Sequence, residues 1–570
     1  MHRHLFFLII FVLAASVFDV TGQTPTPTPA VSDASENLPG VPEIAPNYRS
    51  DDRGLPDLGR VGIDIARQRT LTLSEAIELA LVNNRDIEVS RKTFTMAEFD
   101  LRSARGFYQP RLTGQSYYDR STVPNVSIFS NNPETTQGSF VGNAGLQFFL
   151  PSQGTVFSGT FNNTRLSTDN PISILSPQFN SSLGFSLTQP LFRGRKFDQA
   201  RRVIEIAKGN ISLTDTQFRQ RSIEAVAGVQ RAYWDLTFAL RNLQVQRDGI
   251  RDAKAQLEHN RRLVEEGQLA PIDIVAAETQ VANFEQAVYD ALNVVNQTEN
   301  ILKNLVSPSR ADAIWSEAIV PIEPVEIAVP NATLTESIAQ AIDNRPELEI
   351  NKAQKQINAI DQRLFRDQKK PQIDFVASYT SGGIGGSQNP NFSPTFPTPC
   401  GINPSSPACA QQQANLALLT GNPFSGIFGN RYPVLRVGVN FNLPLFGDKT
   451  AKANLGRSRV EAERLETQRE QIEQNIQVEV RNALQAIRTR ESQLRSAAIA
   501  RENSAKQYES EQRKLDAGQS DIYKVLERQT ALTVARSNEL RARTELNKAI
   551  ADLQRATGNT LRANNIEPKR

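Results

Sequence analysis

Histidine, cysteine and tryptophan are nearly missing from this chain of 570 residues. Two of the three histidines, His2 and His4, stand at the very start, which leaves His259 alone on a polar stretch. Histidine catalysis and histidine metal sites have no material here. No nucleophile–base pair, phosphate-cradling loop or ligand cluster replaces them, so no enzyme activity, cofactor or metal is expected. The only cysteines, Cys400 and Cys409, have eight residues between them in a Gly-, Pro- and Asn-rich stretch. In an exported chain that pattern favours a small loop-closing disulfide over a metal pair. No basic block exists either: 64 Lys and Arg and 61 Asp and Glu are interspersed at a net charge of +3, which argues against a nucleic-acid partner. Aromatic content is 7% and mean hydropathy −0.40, too little for a wide globular core and better suited to long, narrow helical assemblies.

Proline is absent from two long regions. The chain has 31 prolines, yet none between Pro190 and Pro271 or between Pro444 and Pro568. From Asp198 to Glu265 and from Lys449 to Asp516 the sequence favours helix throughout, and each run would span roughly 100 Å. Both stop at a glycine, Gly267 or Gly518, and resume as a helix of about 35 residues. The returning helices carry Ile274, Ala277, Val281, Phe284, Val288, Ala291 and Val295, matched by Val525, Arg528, Leu532, Ala535, Glu539, Ala542 and Leu546. This seven-residue period predicts a left-handed coiled coil, with Arg528 and Glu539 as breaks in the seam.

What the chain does have, it has twice. Thr72-Leu73-Ser74-Glu75-Ala76-Ile77 returns as Thr333-Leu334-Thr335-Glu336-Ser337-Ile338, each with capping-box spacing. Pro110-Arg111-Leu112 returns as Pro371-Gln372-Ile373, and Gln189-Pro190-Leu191-Phe192 as Leu443-Pro444-Leu445-Phe446. The organisation follows: a signal peptide at 1–22, a flexible Pro-rich leader at 23–70, repeat one at 71–306, a linker at 307–331, repeat two at 332–557 and a tail at 558–570. The first segment's apolar run, Leu5 to Ala15, is short for a bilayer span; a membrane anchor is the competing reading.

Each repeat opens with a helix of about 35 residues ending before Pro110 or Pro371. The period then changes to two: Leu435, Val437, Val439 and Phe441 alternate with Arg436, Gly438 and Asn440, and Leu183, Phe185 and Leu187 with Gly184, Ser186 and Thr188. One face is apolar and the other polar or tiny, over a length that suits a tilted membrane strand. A sheet on a soluble core is the alternative, but no apolar cover for it is apparent. The first repeat holds an extra hairpin-like pair near 140–150 and 155–166. Ser381-Gly382-Gly383-Ile384-Gly385-Gly386 reads as a surface loop, since no helix follows to make a dinucleotide site. Four to six strands cannot sit in lipid with open edges, so several chains must share one barrel: three of four give twelve strands, three of six eighteen.

In that order, twice over, these motifs resemble the TolC-like outer-membrane efflux protein family. The resemblance covers roughly 71–557 and rests on the helix openings at Leu73 and Leu334, the Pro-Leu-Phe exits at Pro190 and Pro444, and the turns at Gly267 and Gly518. It implies an α+β membrane protein: a homotrimer whose strands form one β-barrel in outer-membrane lipid, continued through the periplasm by an α-barrel of long hairpins. Such a channel exports small molecules or polypeptides received from a periplasmic adaptor and, through it, an inner-membrane transporter. The resemblance also places adaptor docking at the tips, here Gly267, Gln268, Leu269, Gly518, Gln519, Ser520 and Asp521. It puts a narrow periplasmic entrance six and nine residues beyond the second glycine, at Lys524 and Glu527, with Asp273 in repeat one. Lys524 reverses the charge expected there, and a Lys524–Glu527 surface salt bridge explains the pair equally well; an Asp273–Lys524 contact would instead belong to a closed entrance. The rival function is an exported coiled-coil adaptor or scaffold with no channel of its own.

Overall fold

The computed structural model describes residues 59–124, 133–323, 329–393, 397–444 and 447–567. The expected signal peptide and most of the expected leader lie outside the described residues. The leader's last residues do not fit that label, because β1 (Asp64–Leu71) precedes the first helix. The opening helix is also two helices, α1 (Leu73–Asn83) and α2 (Arg85–Arg105). Asn84 separates them in an extended conformation, and its side chain accepts from Asp86 N at 2.9 Å and Ile87 N at 3.3 Å. An N-cap inside a helix-favouring run restarts the helix on a new axis. The Thr72 capping box closes in both directions, with Glu75 N donating to Thr72 Oγ1 at 3.1 Å and Thr72 N to Glu75 Oε2 at 2.9 Å.

Four strands follow in repeat one: β2 (Arg111–Pro124), β3 (Glu134–Leu150), β4 (Thr155–Thr168) and β5 (Leu175–Pro190). Then come α3 (Gln199–Glu265), α4 (Ile272–Val306) and a short strand in the linker, β6 (Glu317–Pro321). Repeat two opens with α5 (Leu334–Asn344) and α6 (Pro346–Gln368), broken this time by a proline at the first helical position. It continues as β7 (Gln372–Gln388), the short helices α7 (Pro399–Ile402), α8 (Pro407–Leu419) and α9 (Pro423–Phe428), β8 (Tyr432–Asn442), α10 (Lys449–Asp516), α11 (Ile522–Ala556) and α12 (Thr560–Ala563).

The returning helices α4 and α11 bury the predicted seam. Ala277, Val281, Phe284, Ala291, Val295 and Leu302 are buried on α4, and Val525, Leu532, Ala535, Ala542, Leu546 and Leu553 on α11. The seam break at Glu539 is buried too, and is neutralised by Arg501 of α10 at 2.5 Å and Arg543 at 2.9 Å. One core gathers around Tyr233, Trp234 and Leu236 of α3 with Val295, Leu302 and Ile319; a second joins Ile476, Val480 and Ile487 of α10 to Leu546 and Ile550.

Linker and leader end meet at the first core. β1 and β6 pair in parallel, and Tyr233 Oη ties both by donating to Leu71 O at 3.0 Å and accepting from Glu323 N at 3.2 Å. Behind them lies a charge cluster with Glu299 and Lys303 fully buried. Glu299 accepts from Ile319 N at 2.7 Å and pairs with Arg60 and with Lys303, the latter at 3.6 Å. Lys303 also donates to Glu317 O at 2.6 Å and Trp315 O at 3.3 Å. Burial, reinforced by the Arg60 charge, pushes the Lys303 ammonium down to about 8.

The six long strands form one antiparallel sheet in the order β2-β3-β4-β5-β7-β8. Its register puts Leu112, Tyr118, Phe140, Leu146, Phe148, Phe185, Tyr379, Leu435, Val437, Val439 and Phe441 on one face, all of them exposed. The opposite face carries Thr113, Gln115, Ser158, Thr160, Ser182, Ser186, Ser378 and Asn440. Among the described residues no helix is long and apolar enough to cross a membrane. The apolar sheet face is where lipid can be met.

Ser381–Gly386 is not the surface loop its composition suggests. It lies inside β7, and the long segment after it holds three short helices. The glycines are there for α9: a β-carbon on Gly383 would collide with the Pro423 carbonyl, and one on Gly385 with the Gly421 carbonyl. Ser381 Oγ donates to Ile427 O at 2.7 Å, and Phe424 stacks on Phe161 of β4 at 6.1 Å. Phe161 and Ser381 both belong to the apolar face, so α9 packs on that side, at the strand ends away from the long helices. Cys400 and Cys409 are disulfide-bonded in the same insert, between α7 and α8.

Candidate functional site

The two hairpin tips are built alike. At the end of α3, Gly267 takes φ +75°, and at the end of α10, Gly518 takes φ +66°. Left-handed backbone lets the next amide turn back onto the helix: Gln268 N donates to Leu263 O and Gln519 N to Lys514 O, both at 2.8 Å. No atom lies within 4 Å of where a β-carbon would stand on either glycine. Conformation, not crowding, requires glycine there.

The two tips differ in how the next helix starts. In repeat one, Pro271 precedes α4, and Asp273 reaches back to accept from Ala270 N at 3.0 Å. In repeat two, Asp521 caps α11 by accepting from Lys524 N at 3.0 Å, and its carboxylate also holds Lys524 Nζ at 2.9 Å. The sequence raised pairs of Lys524 with Glu527 or with Asp273; within one chain the structure has neither. Asp273 is occupied by its own turn, and Asp521 lies one helical turn before Lys524. The ammonium of Lys524 holds Asp521 below the usual carboxylate range, and Asp521 in return raises Lys524. Ser520 hydrogen-bonds Glu511 of α10, which with Lys514 keeps that carboxyl low as well. These exposed charges fix the shape of the turn more than they stabilise the fold.

The tips stand side by side. His259 contacts Asp516 at 3.1 Å, Gln280 donates to Thr530 Oγ1 at 2.7 Å, and Ala276 packs on the small core of Leu515, Ile522, Val525 and Leu526. Between α4 and α11 this leaves a groove of about 480 Å³ that Ile272, Val275, Tyr523 and Glu527 help to line. Ile272, Val275 and Tyr523 are each more than half exposed. Sequence reading passed over these three, although an isoleucine and a tyrosine in the first turns beyond a solvent-facing loop were a usable signal. No group of three or more His, Cys, Asp or Glu among the described residues could hold a metal.

Paired long hairpins, twinned tips and a sheet that is apolar on one face match a known family over residues 151–307 and 337–559, that of the outer membrane efflux proteins. The chain belongs to this family. It is an outer-membrane efflux channel that extends into the periplasm, not an enzyme. Membership in the outer membrane efflux protein family implies a trimeric channel within a tripartite efflux assembly. Solved structures with the same fold include the CmeC outer membrane channel of Campylobacter jejuni, 14% identical over 86% of each chain at a TM-score of 0.59. The MtrE outer membrane channel of Neisseria gonorrhoeae is 16% identical over 86% of this chain and 89% of its own, at 0.58. VceC of Vibrio cholerae is 12% identical over 85% and 96%, at 0.57. No curated protein sequence matches the chain.

Proposed function

We propose that three copies of this chain close into one channel, β8 of each pairing with β2 of the next, and that a periplasmic adaptor docks at the tips. The observation that carries the reading is an unpartnered flank on each side of the chain. β2 and β8 are the sheet's two edges and are exposed along their whole length. Their helical neighbours carry exposed apolar residues: Val89 and Met96 at seven-residue spacing on α2, and Val460, Val478 and Ile499 on α10. β2 runs away from the helices and β8 back toward them, so a β8–β2 seam between copies is antiparallel, like the rest of the sheet. A seven-residue apolar stripe with no partner inside its own chain is a coiled-coil seam for another one.

Cargo then enters past the tips from an inner-membrane transporter held by the adaptor and leaves through the membrane barrel. The adaptor's binding area comprises Gly267, Gln268, Leu269, Gly518, Gln519, Ser520 and Asp521, extended into the Ile272, Val275 and Tyr523 groove. Asp273, Lys524 and Glu527, one turn above, set how readily the entrance opens. The Cys400–Cys409 insert is external and takes no part in transport. Gly518→Val tests the tips: forcing a branched side chain to positive φ costs about 1–2 kcal/mol, enough to distort a turn and too little to unfold a trimer. Trimer yield should stay normal while crosslinking to the copurified adaptor falls several-fold. Normal crosslinking with a normal trimer would exclude the tip as the docking surface.

A further inference from the structure

We infer that β3 and β4 are an inserted transmembrane hairpin that enlarges the membrane barrel from twelve strands to eighteen while leaving the helical tube unchanged; the inference rests on the trimer proposed above. The duplication identifies the insertion. Pro110-Arg111-Leu112 at the start of β2 corresponds to Pro371-Gln372-Ile373 at the start of β7, and Gln189-Pro190 at the end of β5 to Leu443-Pro444 just after β8. Repeat two therefore crosses once out and once back, whereas repeat one adds β3 and β4 between its matched strands.

The pair is built into the wall. β3 is in unbroken register with β2 over fourteen residues and with β4 over another fourteen. Phe148 and Phe157 stack across the pair at 5.2 Å on the same apolar face as Val437 and Phe441. The turn at its helix end is anchored rather than loose. Arg201 of α3 donates to Pro151 O at 2.7 Å, and Gln189 to Gln153 O at 3.2 Å. Gly154 takes φ +71° so close to the Gly194 carbonyl that a β-carbon there would stand 2.8 Å from it.

With strands about 4.8 Å apart and tilted about 40°, eighteen of them close at a backbone diameter of about 36 Å, against about 24 Å for twelve. The hairpin adds no helix, so the gain is confined to the membrane. The inward face carries short hydroxyl and amide side chains such as Ser158, Ser186 and Asn162 on β4 and β5, with Tyr117 and Arg436 on the edge strands. Selection by size then falls to the periplasmic entrance, and the exit passes whatever the tube admits.

Distance measurement decides the matter. The native cysteines are bonded to each other, so a spin label at Ser378→Cys on β7 is unique in each chain. In a trimer, like sites at the backbone radius lie about 31 Å apart for eighteen strands and about 21 Å apart for twelve. The full chain should give the longer distance, and a variant lacking 134–168, with β2 joined to β5, the shorter one. The shorter distance in the full chain overturns the inference by placing the hairpin outside the wall. If the shortened variant fails to assemble, the full-chain distance alone still decides between the two counts. A monomer by native mass measurement would overturn the trimer beneath it, a failure the distances cannot mimic.

Discussion

The helices α3 and α10 come from the same duplicated unit, have 67 and 68 residues and end in the same glycine turn, yet they live in different surroundings. α3 lies between α4, α2, α6 and α11, with Val226, Tyr233 and Leu236 fully buried. α10 touches α11, α6 and α5 and leaves Val460, Val478 and Ile499 exposed. Duplication copies an amphipathic pattern but not its neighbours. One copy became the centre of the chain and the other an edge, which is what a shared ring requires of a repeat. The returning helices diverge too. Counting from the tip glycines, buried Glu299 and Lys303 of α4 fall on Ile550 and Gln554 of α11, so one repeat holds an ion cluster where the other holds an ordinary core.

The largest test of that contrast places the same charge in both helices. Val226→Asp puts a carboxylate with no partner in the α3 core, at a cost on the order of 4–5 kcal/mol, and the chain should fail to fold. Val478→Asp on α10 should leave a folded chain, by circular dichroism, whose trimer is lost on native mass measurement. A normal trimer would show that this flank meets no neighbour.

The charge cluster comes next. Glu299→Gln strands Lys303 and Arg60 in the interior and should lower stability by about 3–5 kcal/mol in denaturant titration. Glu299→Ile with Lys303→Gln gives repeat one the residues of repeat two and should recover the share of that loss that comes from Lys303, while Arg60 stays without its carboxylate. If the double variant is no better than the single one, the cluster does more than neutralise itself. The smallest effect is expected at the entrance. Lys524→Asp gives repeat two the residue type that repeat one has at Asp273, and it sets a third carboxylate between Asp521 and Glu527. Single-channel conductance at low salt should rise, and the rise should fade at high salt, where screening reaches a few ångströms. Unchanged conductance at low salt would make Lys524 a plain surface charge.

Local chemistry was readable wherever it is decided within a few residues. Thr72 and Thr333 cap, Gly267 and Gly518 turn, and the alternation of Leu435 to Phe441 sets a two-faced strand; each needs only its sequence neighbours. What misled was composition without partners. Gly383 and Gly385 look like loop residues because the segment that needs them, at the start of α9, lies about forty residues on. β1 looks like leader because its strand partner, β6, lies across the whole of repeat one. Asn84 looks like one more polar helix residue until its side chain is seen to accept two amides. Lys524 chose Asp521 over Glu527 because the carboxylate that caps the helix is already held in place.

By itself, then, the sequence determined the repeat, the length of the hairpins, the faces of the strands and the family. Those properties follow from backbone periodicity and turn conformation, which are local. Only the tertiary structure decided that six of the described strands join in one antiparallel sheet, that leader and linker join over a buried ion cluster, and which helix lies inside and which at the edge. These depend on which distant surfaces meet, and burial rewards contacts between surfaces without regard to their distance along the chain.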